Sequence, residues 1–189
     1  MKAFLKIIFI GLFIGLAIKN FVIESFTVPT DSMIPTIAIG QHVWLNKLPF
    51  TPKLGDIVGF ERNSESFVKR IVGLPSDSVF TEGGYRYQVY RNKRLVSDSS
   101  PLTFMKIPKQ GETIEITNLN YTFYQSLIEK EGNQIGKLLD RIFINGSETT
   151  YYTFKQNYYF VQGDNTETSI DSRQFGLIGE KSLLGRLIL

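Results

Sequence analysis

No cysteine occurs in the 189 residues. Disulfides, thiolate metal sites and a cysteine nucleophile are therefore excluded, and the chain is chemically able to work in either redox compartment. Histidine is almost as scarce, with His42 standing alone. A Ser-His-Asp triad would have to use that one residue, and a histidine-rich metal centre cannot be built. Nothing in the remaining composition calls for a metal or another cofactor. The charge excess is small, 21 Lys and Arg against 18 Asp and Glu, for a net +3 spread along the chain. That is too weak to imply nucleic acid, although it suits a protein lying against an anionic bilayer. Internal repeats and low-complexity tracts are also missing. With 42% apolar residues the chain has ample material for a core, in one domain or one domain with a sizeable insertion.

What is present begins with a hydrophobic N-terminus. Lys2 and Lys6 precede an unbroken apolar run from Ile7 to Ile18, and after Lys19 and Asn20 come Phe21, Val22 and Ile23. The run alone has the length of a signal-peptide core. Counted from Ala3 to Ile23, a helix rising ~1.5 Å per residue reaches roughly 30 Å, the thickness of the hydrocarbon layer. Lys6 and Lys19 extend their amines to opposite interfaces. Residues 1–24 are therefore expected to be a single transmembrane anchor, oriented N-terminus inside, with everything after Ser25 outside the cytoplasm. A cleaved leader with Gly15-Leu16-Ala17 as a weak small-x-small site is the alternative that the same hydropathy allows.

Beyond the anchor the sequence reads as short strands. Phe26–Val28, Val43–Leu45, Ile57–Phe60, Ser66–Val72, Gln88–Tyr90, Ile114–Ile116, Tyr158–Val161 and Ser182–Leu189 are rich in β-branched or aromatic residues. Gly55-Asp56, Pro75-Ser76-Asp77 and Gly83-Gly84 punctuate them as turns, and Asn145-Gly146 after Ile142–Ile144 marks a hairpin. Tyr121–Glu131 breaks the pattern. Its apolar residues Phe123, Tyr124, Leu127 and Ile128 fall at helical spacing, between Asn120 as a cap and Gly132 as a stop. The expectation is a mainly β protein with one anchor helix and one small surface helix.

Three segments hold residues able to do chemistry: Pro29–Thr36 around Ser32, Lys69–Asp77, and Gly163-Asp164-Asn165 followed by Ser169–Arg173 and Gly176. Each has a plain structural explanation alone. Ser32 would cap a turn, Lys69 would be a solvated strand residue, and Asp164, Asp171 and Arg173 would form a surface ion pair worth about 0–1 kcal/mol. A serine nucleophile, however, needs a base, and with one histidine available the alternative is a neutral lysine amine. At a pKa of ~10.4 only about one lysine in a few thousand is neutral at pH 7. Burial disfavours the ammonium form and makes the amine a useful base. Strand alternation in Phe67-Val68-Lys69-Arg70-Ile71 puts Phe67, Lys69 and Ile71 on one face and Arg70 on the other, so apolar neighbours are expected to bury Lys69.

In this order and behind an anchor, the motifs Ser-Met-x-Pro-Thr, Lys-Arg-Ile-Val-Gly-x-Pro and Gly-Asp-Asn-x-x-x-Ser-x-Asp-Ser-Arg-x-x-Gly resemble those of bacterial type I signal peptidases. Gly55-Asp56-Ile57-Val58 and Asn157-Tyr158-Tyr159-Phe160 extend the resemblance, which covers residues 1–77 and 157–189. It implies an antiparallel-sheet catalytic domain of residues 25–77 and 157–189, interrupted by a variable insertion, 78–156. It implies Ser32 as nucleophile, Lys69 as general base, Ser169 as the residue orienting the lysine, and Thr30 as an oxyanion donor beside the Ser32 N–H, a type of donor worth ~3 kcal/mol of barrier. Phe26, Val28 and Val68 match positions lining the small pockets for Ala-x-Ala side chains, and Asp164, Asp171 and Arg173 match residues whose ion pairs hold the active-site loops. The implied partners are preprotein signal peptides and the lipid bilayer, with no nucleic acid, no metal and no cofactor. The implied location is the cytoplasmic membrane with the catalytic domain on its outer side. A dedicated processing protease of one export or conjugation system, and an inactive tethered homologue, share these motifs. Asp31, Gly59 and Ser76 depart from the commonest family pattern. Asp31, next to Ser32, is expected to lie near the Lys69 amine and tune it, whereas His42 beside Trp44 is expected to be structural.

Overall fold

The computed structural model describes residues 6, 8–13, 22–82, 86–90 and 103–188. Most of the expected anchor lies outside those residues. Within it, residues 8–13 are helical, with Phe9 and Phe13 largely exposed. Among the described residues no helix is long and apolar enough to cross a membrane. The chain divides into two compact units. One runs to Arg70 and regains Gly163–Ser169 and the chain from Leu183; the other comprises Ile71–Gln162 and Ile170–Ser182.

The first unit opens with β1 (Ile23–Thr27), so Ile23 and Glu24, assigned to the anchor from hydropathy, are sheet residues instead. Their backbone has a strand partner: β1 pairs antiparallel with β2 (His42–Asn46), Ile23 opposite Asn46 and Phe26 opposite Val43. In β2 the outward and inward residues alternate, with Val43 and Leu45 buried between exposed His42 and Trp44, as a half-buried strand requires. Next come β3 (Ile57–Arg62) and β4 (Glu65–Gly73), a hairpin in which Val58 faces Lys69 and Gly59 faces Val68. Its turn residues Asn63 and Ser64 both take positive φ.

The second unit, into which β4 carries the chain, is built from short antiparallel pairings. The strands β5 (Ser78–Glu82), β6 (Arg86–Tyr90) and β7 (Thr103–Lys106) form one sheet, ordered β6-β5-β7. After β8 (Thr113–Glu115) comes α1 (Tyr121–Lys130). Its buried residues are Phe123, Tyr124, Leu127 and Ile128, the four that the helical spacing selects. They pack in a core with Val79, Met105, Ile116, Ile142, Phe154 and Tyr158. β9 (Ile135–Leu138), β10 (Arg141–Ile144) and β11 (Ser147–Glu148) form a second sheet. Asn145 and Gly146 between β10 and β11 both have positive φ, the conformation for which Asn-Gly is suited. β12 (Tyr151–Thr153) pairs with β8. β13 (Tyr158–Gln162), α2 (Ser172–Phe175) and β14 (Ile178–Gly179) complete the unit.

The chain then returns as β15 (Leu183–Ile188), which inserts between β2 and β3 and gives the first unit the order β1-β2-β15-β3-β4. Val28, Met33, Ile37, Val43 and Ile57 form that unit's core, with Phe26, Val68 and Leu187 packed against it. Two glycines make the insertion possible. A side chain on Gly59 would overlap the Leu45 methyl group. A Cβ on Gly185 would lie 2.5 Å from the carbonyl oxygen of Asn46, and a ladder carbonyl has little room to yield. Gly185→Ala should therefore destabilise the chain by about 1–3 kcal/mol in urea unfolding of the detergent-solubilised protein, whereas an unchanged midpoint would show that β15 and β2 are not in tight apposition.

Candidate active site

Lys69 occupies an inward position of β4 and is only 4% exposed. Its Nζ lies 2.5 Å from Oγ of Ser32, which is itself 6% exposed. Ser32 sits on the loop joining β1 to β2. Val28 N–H donates to Gln41 O at 3.0 Å and Gly40 N–H to Val28 O at 2.7 Å, which close the loop's neck. Ile34 N–H to Asp31 O and Ile37 N–H to Met33 O coil its tip. Met33 and Ile37, both fully buried, anchor that tip in the core. The nucleophile candidate is thus held by its neighbours' burial rather than by strand pairing. Thr30 Oγ1 lies 3.0 Å from Ser32 Oγ, and the Ser32 backbone N–H makes no hydrogen bond among the described residues.

The returning segment Gly163–Ser169 clamps this loop from the other side. Asn165 donates its backbone N–H to Ser32 O at 3.0 Å and its side-chain amide to Asp31 O at 3.3 Å, and Ser169 N–H donates to Asn165 O at 3.0 Å. Ser169 is buried. A Cβ on Gly163 would lie 2.5 Å from both the Ser169 Cβ and the Ser32 carbonyl oxygen, so only glycine lets the two segments approach this closely.

Arg70 follows Lys69 on the opposite face of β4. Its Nε and Nη2 each donate to Asp164 at 2.7 Å, and Nη1 donates to Gly55 O at 2.8 Å. Thr36 adds a hydroxyl hydrogen bond to the same carboxylate. The Arg70 hydrogen bonds hold the Asp164 carboxyl below the usual carboxylate range; partial burial opposes this, and the Thr36 hydroxyl and the Arg70 and Lys69 charges assist. Arg70 is shifted up in turn, chiefly by its hydrogen bond to Asp164. A bidentate pair of this kind fixes orientation as well as charge.

Asp164 pairs with Arg70. Asp171, fully buried, receives Nε and Nη2 of Arg173 at 2.8 Å, and caps α2 with a reciprocal bond from its own N–H to Gln174. Asp31 forms no ion pair among the described residues. The Asp164 carboxylate interacts with the Lys69 charge. Ser76 takes a φ of 73°, a conformation that glycine adopts at less cost. His42 accepts or donates through Nδ1 to Thr27 Oγ1 at 3.1 Å, with no contact to Ser32 or Lys69. Phe26, Val28 and Val68 do come together, in the apolar cluster that also holds Met33. The sequence reading passed over Arg70, Thr36 and Asn165 as site residues, although all three lie inside the motifs it used. Among the described residues no cluster of acidic and histidine side chains is able to hold a metal ion.

A family model described as "Signal peptidase, peptidase S26" matches residues 1–189. The chain is 30% identical over 230 residues to a signal peptidase I of Buchnera aphidicola subsp. Schizaphis graminum, covering 96% of this chain and 72% of that protein. Against a signal peptidase I of Pseudomonas aeruginosa it is 27% identical, covering 96% and 69%. Against a signal peptidase IB of Staphylococcus aureus it is 28% identical, covering 97% and 83%. A crystal structure of a signal peptidase I from Enterococcus faecalis aligns at 22% identity and a TM-score of 0.34, over 74% of this chain and 98% of that one. The chain belongs to the peptidase S26 family of signal peptidases and is a serine peptidase.

Two outcomes are expected from this geometry. Gly163→Ala should lower kcat against a peptide substrate by about tenfold or more, since displacements near 1 Å at a reacting pair have effects of this size, while far-UV circular dichroism stays unchanged; full activity would mean that the segment is not in close contact. The Asp164 contribution to stability is present above the ordinary carboxylate pKa and is lost as pH falls through its lowered value. Asp164→Asn should remove that acid-side dependence, so acid unfolding curves of parent and variant that keep the same shape below about pH 4 would contradict it.

Proposed function

We propose that the chain is a membrane-bound endopeptidase that removes signal peptides from exported preproteins, with Ser32 as nucleophile and Lys69 as general base. The observation that carries this reading is the 2.5 Å contact between the Lys69 amine and the Ser32 hydroxyl, both nearly excluded from water. Burial disfavours the ammonium form of Lys69. The negative charge of Asp164 works the other way, and its bidentate pairing with Arg70 limits that opposing effect.

In the proposed reaction Ser32 Oγ attacks the scissile carbonyl carbon as its proton passes to Lys69 Nζ. The tetrahedral oxyanion takes hydrogen bonds from the unengaged Ser32 N–H and from Thr30 Oγ1. Collapse breaks the C–N bond, and Lys69 returns the proton to the leaving amine. A water molecule, deprotonated by the same amine, then releases the acyl group from Ser32. Ser169 orients the lysine from beside Gly163. Phe26, Val28 and Val68 supply an apolar surface without charged groups, which favours small side chains such as those of Ala-x-Ala sites. The segment before β1 holds the enzyme in the cytoplasmic membrane with the catalytic residues outside, and residues 78–156 are an insertion into the catalytic domain.

Cleavage of an Ala-x-Ala preprotein, followed by N-terminal sequencing of the product, tests the assignment. Ser32→Ala and Lys69→Ala should each reduce turnover by at least about 1,000-fold, His42→Ala should stay within about twofold of the parent, and kcat/KM should rise toward alkaline pH as the amine loses its proton. Near-normal turnover in Lys69→Ala would eliminate the dyad. The chain should also resist alkaline extraction from membranes, and a soluble mature form beginning at Ile18 would eliminate the anchor.

A further inference from the structure

A cavity of the first unit lies away from the reactive pair, at the end of the sheet where β1 begins. It has a volume of about 510 Å³ and is lined by Asn46, Asp56, Arg70, Arg186, Leu187 and Ile188 among others; neither Ser32 nor Lys69 reaches it. The sheet register runs from Ile23 to Asn46 and from Asn46 to Arg186. With strands ~4.8 Å apart, Arg186 is about 10 Å from the first strand residue after the apolar N-terminal segment.

The polar groups in this cavity differ sharply in how far their hydrogen bonding is used. Arg70 is committed to Asp164 and Gly55. The Arg186 guanidinium makes no hydrogen bond among the described residues. Its nearest carboxylate oxygen, Asp56 Oδ1, is 3.9 Å away, and it rests 5.8 Å from the centre of the Phe50 ring. Asn46 uses Oδ1 to accept the Leu48 N–H, and its amide nitrogen has no bond among the described residues. Asp56 Oδ2 accepts the Lys53 N–H, while Oδ1 has only the distant Arg186. The cavity therefore presents a free guanidinium fork and amide N–H groups beside a carboxylate oxygen in need of a donor. Exposed Ile188 forms part of its wall.

We propose that this cavity binds a phospholipid headgroup. The phosphodiester accepts hydrogen bonds from Arg186 and Asn46, the planar fork suiting two phosphate oxygens. The far end of the headgroup donates to Asp56 through a hydroxyl or an ammonium. Glycerol and ethanolamine headgroups carry such a donor and choline does not, so the site discriminates between them. That the phosphate belongs to a lipid rests on the membrane-anchored reading above; the donor set of the cavity does not.

The full chain in detergent micelles, titrated separately with dihexanoyl phosphatidylglycerol, phosphatidylethanolamine, phosphatidylcholine and inorganic phosphate, tests this. Trp44, the only tryptophan, pairs with cavity-lining Ile188 and reports binding by fluorescence. The glycerol and ethanolamine lipids should saturate, and choline lipid and phosphate should bind at least about tenfold more weakly. Arg186→Gln should weaken the glycerol lipid about tenfold, and Arg186→Lys, which keeps the charge and loses the fork, should weaken it as well. Arg186 is half exposed, so both variants should keep the parent's thermal midpoint. Equal affinity for choline and glycerol lipids, or no effect of Arg186→Gln, overturns the site. Phosphate binding as tightly as the lipids overturns the lipid assignment. The titration is made in detergent, so its outcome is separate from that of alkaline extraction, which reports on the anchor.

Discussion

The contact between the Lys69 amine and the Ser32 hydroxyl governs the rest of the first unit. A lysine with 4% exposure has lost nearly all of its hydration, and an ammonium in that setting is costly unless its partners are excellent. Such an arrangement persists only if the surrounding structure fixes both side chains independently of any attraction between them. The fully buried Met33 and Ile37 fix the loop carrying Ser32, and the Val58–Lys69 register in the β3–β4 hairpin fixes the lysine.

Arg70 shows how one strand serves two purposes. Alternation turns Lys69 inward and its neighbour outward, so a buried lysine sits beside an arginine whose charge is paired with Asp164. Arg70 ties β4 to Gly55 and to Asp164, while Asn165, next in sequence to Asp164, grips the Ser32 carbonyl. The pair of residues Asp164-Asn165 thereby binds both halves of the reactive pair at once, one through β4 and one through the Ser32 loop.

Much of this was readable from the residues. The strands around Val43–Leu45, Ile57–Phe60, Ser66–Val72 and Tyr158–Val161 declare themselves through β-branched and aromatic runs, and α1 through its four apolar positions. Lys69 facing inward follows from alternation. The departures have physical reasons. β5, β7 and β9 are short and mixed in polarity, and their identity comes from pairing across the sheet rather than from local pattern. Ile23 and Glu24 look like the end of an apolar segment until β2 supplies a partner. Asp31 is adjacent to Ser32 in sequence, but side-chain direction in a coiled loop is not set by adjacency, whereas Asp164, far along the chain, interacts with the Lys69 charge. The same limit hid the division of the ion pairs, since sequence proximity joins Asp171 to Arg173 but gives no reason to join Asp164 to Arg70.

The return of the chain at Gly163–Ser169 also sets when the protein becomes able to act. Ser32 and Lys69 are 37 residues apart, but the bonds that clamp them span 94 residues from Arg70 to Asp164 and 134 from Asp31 to Asn165. A nascent chain that has emerged only as far as β12 holds Ser32 and Lys69 without the segment that clamps them. Catalytic competence is thus a property of the finished chain, reached after the intervening unit has been synthesised, and a half-made protease has no assembled site with which to cut its neighbours.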